Sequence, residues 1–253
     1  MAETNEEKRP PAVVYHALPE IEDTQRLVIA PEVDMLVDAL MEMANVNTEA
    51  LQRAVEQFGR RDDPAFLLEC KKHFLAALLR ERKWKDLPQA CFAPLMRLAV
   101  YEPDPGFNRG FIEPALRAFG YRRVQEAFLD YLERGTNREK AGAARACYWA
   151  WLPLIFDDPR TRGEDFQKVC DEGADLSARR NILLLKTFVE SEDRDVRRSI
   201  IPGLSLKPSE YPEEFRPLIP EAIHLARTHP DGYIRHRVEI QLRERGIPTE
   251  GSG

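Results

Sequence analysis

Apolar residues recur along most of the chain at the three- and four-residue spacing of an amphipathic helix. Clear stripes of this kind are Leu36, Val37 and Leu40; Leu67, Phe74 and Leu78; Phe111, Ala115 and Phe119; and Val124, Phe128 and Leu132. No segment shows the strict alternation of a half-buried strand. The pattern therefore predicts an all-α protein of about ten or eleven helices joined by short turns.

One segment of this pattern is repeated. Residues 193–204 return as residues 231–242 with a constant offset of 38 residues. The paired positions are Asp193 and Asp231, Val196 and Ile234, Arg197 and Arg235, Ile200 and Val238, and Leu204 and Leu242. A fixed period of this length predicts stacked helical units. Residues 137–148 form a degenerate third copy, in which Tyr148 takes the core position of Leu204.

The two clear copies resemble a named family. Each has an aspartate in a turn, an apolar residue followed by arginine three positions later, and then an apolar helix, and this arrangement resembles the HEAT repeat. The resemblance implies a right-handed α-α superhelix of about five HEAT-like helical pairs, an armadillo-type solenoid. It also implies a structural ladder of Asp193, Arg197, Asp231 and Arg235, in which each aspartate caps the next helix and accepts hydrogen bonds from a neighbouring repeat's arginine.

Charge and composition divide the chain. Residues 1–63 contain 14 Asp and Glu against 6 Lys and Arg, a net charge of −8, whereas the whole chain carries −6 and the remainder therefore +2. We expect a flexible acidic arm over residues 1–30, the HEAT-like solenoid over residues 31–246 and a flexible tail over residues 247–253. The near-neutral body argues against a dedicated nucleic-acid surface.

Candidate chemistry is sparse. The four cysteines and five histidines are dispersed, and none has the spacing of a zinc site, so we expect buried free thiols and no bound metal. No nucleophile elbow, phosphate-binding loop, dinucleotide fingerprint or zincin motif is present, and we expect no cofactor. The charged start is not followed by an apolar signal segment, and no apolar run reaches membrane-spanning length, which favours a cytoplasmic location.

The candidate binding residues come from the repeat. In HEAT-like solenoids the second helices line the concave surface, which here would present Arg145, Trp149, Arg198, His236 and Arg243, with Gly142 and His236 as the counterparts of Arg198. Aromatic and arginine side chains make good binding anchors. The alternative is that Trp149 and Trp151 fill gaps between irregular repeats.

Two classes of function remain open. The first is a non-enzymatic protein–protein interaction module (an adaptor, an inhibitor or an immunity-type protein) that binds a protein or peptide on the concave face. The alternative is a HEAT-like nucleic-acid-binding protein or DNA glycosylase, with Arg145, Trp149, Trp151, Asp157 and Asp158 as conceivable site residues. A tetrapyrrole lyase or chaperone is a third idea that fold resemblance alone suggests.

Overall fold

The computed structural model describes residues 34–43, 49–58, 64–81, 87–104, 106–150 and 173–243. Within these ranges all long elements are α-helices and no residue is in a strand, so the prediction of an all-α protein is confirmed. The helices are α1 (residues 34–43), α2 (Glu49–Phe58), α3 (Pro64–Glu81), α4 (Phe92–Tyr101), α5 (Arg109–Phe119), α6 (Tyr121–Arg134), α7 (Asn137–Ala150), α8 (Ala174–Glu190), α9 (Arg194–Ile200), α10 (Leu218–Thr228) and α11 (Gly232–Arg243).

Several predictions from the sequence concern residues outside the described part of the chain. They are the acidic arm at residues 1–30, the helix start at Pro31, the loop at residues 156–163, the helix at residues 166–173 and the tail at residues 247–253.

The last six helices pack as three antiparallel pairs: α6 with α7, α8 with α9, and α10 with α11. The first members, α6, α8 and α10, contact one another in that order, and so do the second members, α7, α9 and α11. Helices α4 and α5 both pack against α7 and α6, while α3 packs against α5 and α2. Each helix thus buries its apolar stripe on its partner and on the neighbouring pair.

Small residues let α7 lie deep in this arrangement. Ala143 and Ala146 are fully buried, and Gly142 lies against α4. A Cβ atom at Gly142 would collide with the carbonyl oxygen of Val100, so only glycine allows the two backbones to approach this closely. This approach explains why one helix can contact α4, α5, α6 and α9 together.

The helix starts follow local sequence signals. Pro217 immediately precedes α10, and Pro94 is the third residue of α4, so both prolines act at helix starts rather than as interior bends. Before α7, the Glu139 carboxylate accepts hydrogen bonds from the Thr136 amide at 2.8 Å and hydroxyl at 2.9 Å, while the Glu139 amide donates to the Thr136 hydroxyl at 3.4 Å. This is a capping box, in which Thr136 is the N-cap residue.

The expected core position of Tyr148 is wrong. Its side chain is 50% exposed, whereas Leu204 is 2% exposed. The repeat equates the two, but their backbones differ: α9 ends at Ile200 and continues as the 3-10 turn Ile201–Gly203, while α7 remains helical through Ala150. Pro202 accounts for the difference, because proline is poorly tolerated inside a helix and favours its first turn.

Candidate interaction face

The turns before α9 and α11 are held by their aspartates. The Asp193 carboxylate accepts a hydrogen bond from the Val196 amide at 2.9 Å, which is the N-cap that the turn sequence predicts. The Asp231 carboxylate accepts one from the Tyr233 amide at 2.8 Å. Asp193 also accepts a long hydrogen bond of 3.4 Å from the side-chain amide of Asn137, which lies at the start of α7. These turns therefore fix where the second helices begin.

The repeat arginines Arg197 and Arg235 reach backwards to the end of the preceding helix. Arg197 donates from Nε to the carbonyl of Phe188 at 3.1 Å and from Nη2 to that of Val189 at 3.4 Å. Arg235 donates from Nη1 to the carbonyls of His229 and Pro230. Arg197 thus binds carbonyls in the last turn of α8, and Arg235 binds carbonyls just after the end of α10. Each contact lies within one helical pair.

The next residue, Arg198, makes a contact between helical pairs. Its Nη1 donates to the Asp231 carboxylate at 2.8 Å, and its guanidinium lies 4.4 Å from the centre of the Tyr233 ring. Burial alone would raise the pKa of Asp231, but the hydrogen bonds from Arg198 and from the Tyr233 amide outweigh it, and the pKa is lowered. Arg198 therefore ties α9 to the turn before α11, a part that the HEAT resemblance assigns to Arg197.

Arg145 joins α7 to α9. Its Nη1 donates to the Ser199 hydroxyl at 3.1 Å, and its Nε is buried with no hydrogen-bond partner in the described part of the chain. Burial lowers the pKa of this guanidinium, against the attraction of Asp195 and Glu102. The residue as a whole is nevertheless only partly buried.

Two aromatic side chains follow Arg145 one turn along α7. The half-exposed Tyr148 packs edge-on against Trp149, with ring centres 5.3 Å apart. Trp149 packs on the core with one side, and the guanidinium of Arg109 lies 5.2 Å from its ring centre. Because residues three and four apart are neighbours on a helix surface, Arg145, Tyr148 and Trp149 form one patch at the end of α7.

The remaining two candidates both lie on α11. His236 and Arg243 are exposed and seven residues apart on α11, which places them on one side of that helix. No described contact joins either of them to Arg145 or Trp149. Gly142 does not extend this row of side chains, because α4 covers it. We call the exposed side of α7, α9 and α11 that carries Arg145, Trp149, Arg198, His236 and Arg243 the second-row face.

A buried polar cluster nearby was not predicted from the sequence. Lys72 and Glu102 form an ion pair of 2.7 Å, with their side chains 5% and 1% exposed. Asn108 is fully buried, and neither atom of its side-chain amide has a hydrogen-bond partner among the described residues. The position of Lys72 in the sequence could have indicated this cluster. Leu68, Lys72, Leu75 and Leu79 follow helical spacing, and the lysine interrupts their buried apolar stripe.

An open pocket of about 610 Å³ adjoins this cluster between α3 and α5. His73 and Ala77 of α3 line one side, and Phe107, Arg109 and Glu113 line the other. Arg109 donates to Glu113 at 2.6 Å, so the charges at this pocket already satisfy each other. The same Arg109 contacts Trp149, so the pocket borders the second-row face.

The described residues contain little that would support catalysis or metal binding. No cluster of three or more His, Cys, Asp or Glu side chains in these ranges could hold a metal ion. Cys91 and Cys147 are buried and form no disulfide within the described ranges, and burial raises the pKa of Cys147 to about 12, which keeps it protonated and unreactive near neutral pH. Cys70 is a partly buried free thiol. None of the helices in the described ranges is long and apolar enough to span a membrane.

Comparison with protein-family models, with curated proteins and with solved structures finds no match for this chain.

Proposed function

We propose that this chain is a HEAT-like α-solenoid that binds a protein or peptide partner on its second-row face, and that it acts without catalysing a reaction. The observation that carries the proposal is the stacking of three helical pairs, whose second members carry the partly exposed Arg145, Trp149 and Arg198 and the exposed His236 and Arg243. Stacked helical pairs offer an extended surface suited to holding another chain.

The composition of the face supports a protein partner. Arg198 is neutralised by Asp231, and Arg109 beside Trp149 is neutralised by Glu113. A surface that binds nucleic-acid backbone needs several uncompensated cations, because each neutralised phosphate adds to affinity. Arginine next to exposed aromatic rings is typical of the anchors at protein interfaces.

The experiment compares capture of proteins from native cytosol by the immobilised wild type and by a His236→Ala/Arg243→Ala variant. Both side chains are exposed, so the substitutions leave the fold intact. An Arg134→Ala/Arg179→Ala variant is the matched control, because it changes exposed residues on α6 and α8, which are first members of the helical pairs. A captured protein is then purified, and its affinity is measured by calorimetry.

We expect the second-row variant to bind this protein about tenfold more weakly and the control to bind normally. Equal affinity of wild type and second-row variant would contradict the proposed face. Wild-type binding to a labelled DNA duplex that weakens steeply with salt and is lost in the second-row variant would support the nucleic-acid alternative instead.

A further inference from the structure

Arg145 is a cation whose hydrogen-bonding capacity is largely unused. A guanidinium has five N–H donors, and Arg145 has one hydrogen bond, from Nη1 to the neutral Ser199 hydroxyl. Its Nε is buried without a partner, and no carboxylate in the described part of the chain lies within ion-pair distance of it. A charge that is removed from water without a counter-charge destabilises a fold, so its retention calls for a reason.

The nearby carboxylates that act on Arg145 are engaged elsewhere. Asp195 contacts Arg194 at 3.3 Å, and Glu102 contacts the Lys72 ammonium at 2.7 Å. The other positive group that acts on it is Arg138, which lies over the Tyr101 ring at 4.6 Å and lowers the pKa of Arg145 further. Among the described residues, no neighbouring side chain therefore neutralises the positive charge of this site.

The surroundings of Arg145 select for a particular kind of ligand. A carboxylate fits the planar fork of a guanidinium and makes short charge-assisted hydrogen bonds with it. One turn further along α7, Tyr148 and Trp149 provide aromatic surface, of which Tyr148 is half exposed. A ligand that matches both features combines a carboxylate with an adjacent apolar or aromatic side chain.

We propose that Arg145 is the receptor for an acidic side chain or C-terminal carboxylate of a peptide segment in the partner, with the adjacent apolar residue of that segment against Tyr148 and Trp149. This inference rests on the proposed function and specifies the chemistry of the partner. It favours a peptide over a nucleic acid because the arginines on either side, Arg109 and Arg198, are already paired with Glu113 and Asp231. With both adjacent arginines paired, Arg145 lacks the neighbouring uncompensated cations that a run of phosphates needs.

The test uses a library of random linear peptides with free C-termini, selected for binding to the wild-type protein, to Arg145→Met and to Arg134→Met. Methionine has an unbranched apolar side chain that replaces the stem of arginine and lacks the guanidinium charge. Arg134 is the matched control because it is an exposed arginine on α6, 74% exposed in its side chain. Arg145→Lys is a second test variant, which keeps the charge and loses the fork. Circular dichroism checks that each variant is folded.

We expect wild type and Arg134→Met to select peptides with Asp, Glu or a terminal carboxylate beside an apolar residue. Arg145→Met should bind those peptides at least about tenfold more weakly, and Arg145→Lys should fall between the two. Amidated or Asn- and Gln-substituted versions of the selected peptides should lose binding to the wild type to the same extent. If Arg145→Met does not fold, the lysine variant and the substituted peptides carry the test.

The contrary outcomes separate the two proposals. Selected peptides that lack a carboxylate, or that bind Arg145→Met as well as wild type, would overturn the role of Arg145 and leave the interaction module standing. Failure of the wild type to select any peptide, together with failure to capture a protein from cytosol, would count against both. Binding of a DNA duplex that depends on Arg145 would assign the site to phosphate and overturn the peptide proposal.

Discussion

Lys72 occupies the middle of the buried stripe of α3, and its ammonium meets the buried carboxylate of Glu102. The exposed Glu69 also contacts Lys72 at 2.9 Å, and the Phe107 ring centre lies 4.8 Å from its ammonium. Burial raises the pKa of Glu102, and the attraction of Lys72 opposes that rise. The lysine is thus the main counter-charge that permits Glu102 to ionise inside the protein.

Replacing Lys72 with methionine should therefore make stability depend on pH. The folded-state pKa of Glu102 would lie well above its ordinary value of 4.5, so the folded state would hold the proton more tightly than the unfolded chain. The stability of the variant would be retained at pH values below the ordinary pKa, and it would be lost as the pH rises through the folded-state pKa. We expect a loss of about 3–5 kcal/mol near neutral pH, measured as the free energy of unfolding in urea at about pH 5 and about pH 8.

The double variant Lys72→Met/Glu102→Gln is the control for this prediction. It removes both charges, so it should recover much of the lost stability and most of the pH dependence should disappear. Equal stability of Lys72→Met at the two pH values would show that Glu102 does not depend on Lys72.

At the scale of elements, the position of α7 depends on its close approach to α4. Alanine is a better helix former than glycine by about 1 kcal/mol, so Gly142→Ala should stabilise an isolated helix. In the folded protein the added Cβ would meet the Val100 carbonyl, and α4 would have to move. We expect a net loss of about 1–3 kcal/mol in the free energy of unfolding, measured by urea denaturation.

Gly203→Ala is a matched control for this substitution. A Cβ there would lie 3.9 Å from the nearest atom, on Leu184, which is an ordinary van der Waals contact. Its stability should change little. If Gly142→Ala were as stable as wild type, the close packing of α7 against α4 would not be essential to the fold.

At the scale of the whole molecule, the paired helices differ in how many neighbours support them. Within the described ranges α7 contacts α4, α5, α6 and α9, whereas α11 contacts α10 and α9. In a stack of helical pairs, stability is a sum of contributions from each unit and from its neighbours. An inner helix should therefore open less often than an outer one.

Native-state hydrogen exchange followed by mass spectrometry tests this expectation. Backbone amides of α7 should exchange at least about tenfold more slowly than those of α11 under conditions where local opening limits exchange. The amides of α9 and α8 should be intermediate. Equal protection in α7 and α11 would instead indicate that the described part of the chain opens as one cooperative unit and would weaken the proposed solenoid.

Features that depend on a few neighbouring residues were predictable. The helical spacing and the capping by Asp193 follow from backbone chemistry within one or two turns. Thr136 and Glu139 also have the spacing of a capping box, so this cap is predictable from the sequence. Because these features depend only on neighbouring residues, a single sequence is enough to predict them.

Features that depend on which distant helix packs against a residue were harder to predict from the sequence. The HEAT resemblance pointed to Arg197 as the contact between repeats, whereas Arg198 reaches Asp231 and Arg197 reaches the carbonyls of its own helical pair. Both arginines lie on a charged segment, and a one-residue shift on a helix turns a side chain by about 100°. Only the direction of the neighbouring helix distinguishes them.

The sequence by itself determined that this chain is helical, where many of its helices start, and that one unit repeats after 38 residues, because periodicity and capping are local properties. The tertiary structure decided that Tyr148 is exposed, that Gly142 is covered by α4 and that the guanidinium of Arg145 donates to the Ser199 hydroxyl. Each of these depends on which distant helix packs beside α7. Burial and unsatisfied charge arise from such long-range contacts, which no spacing along one chain records.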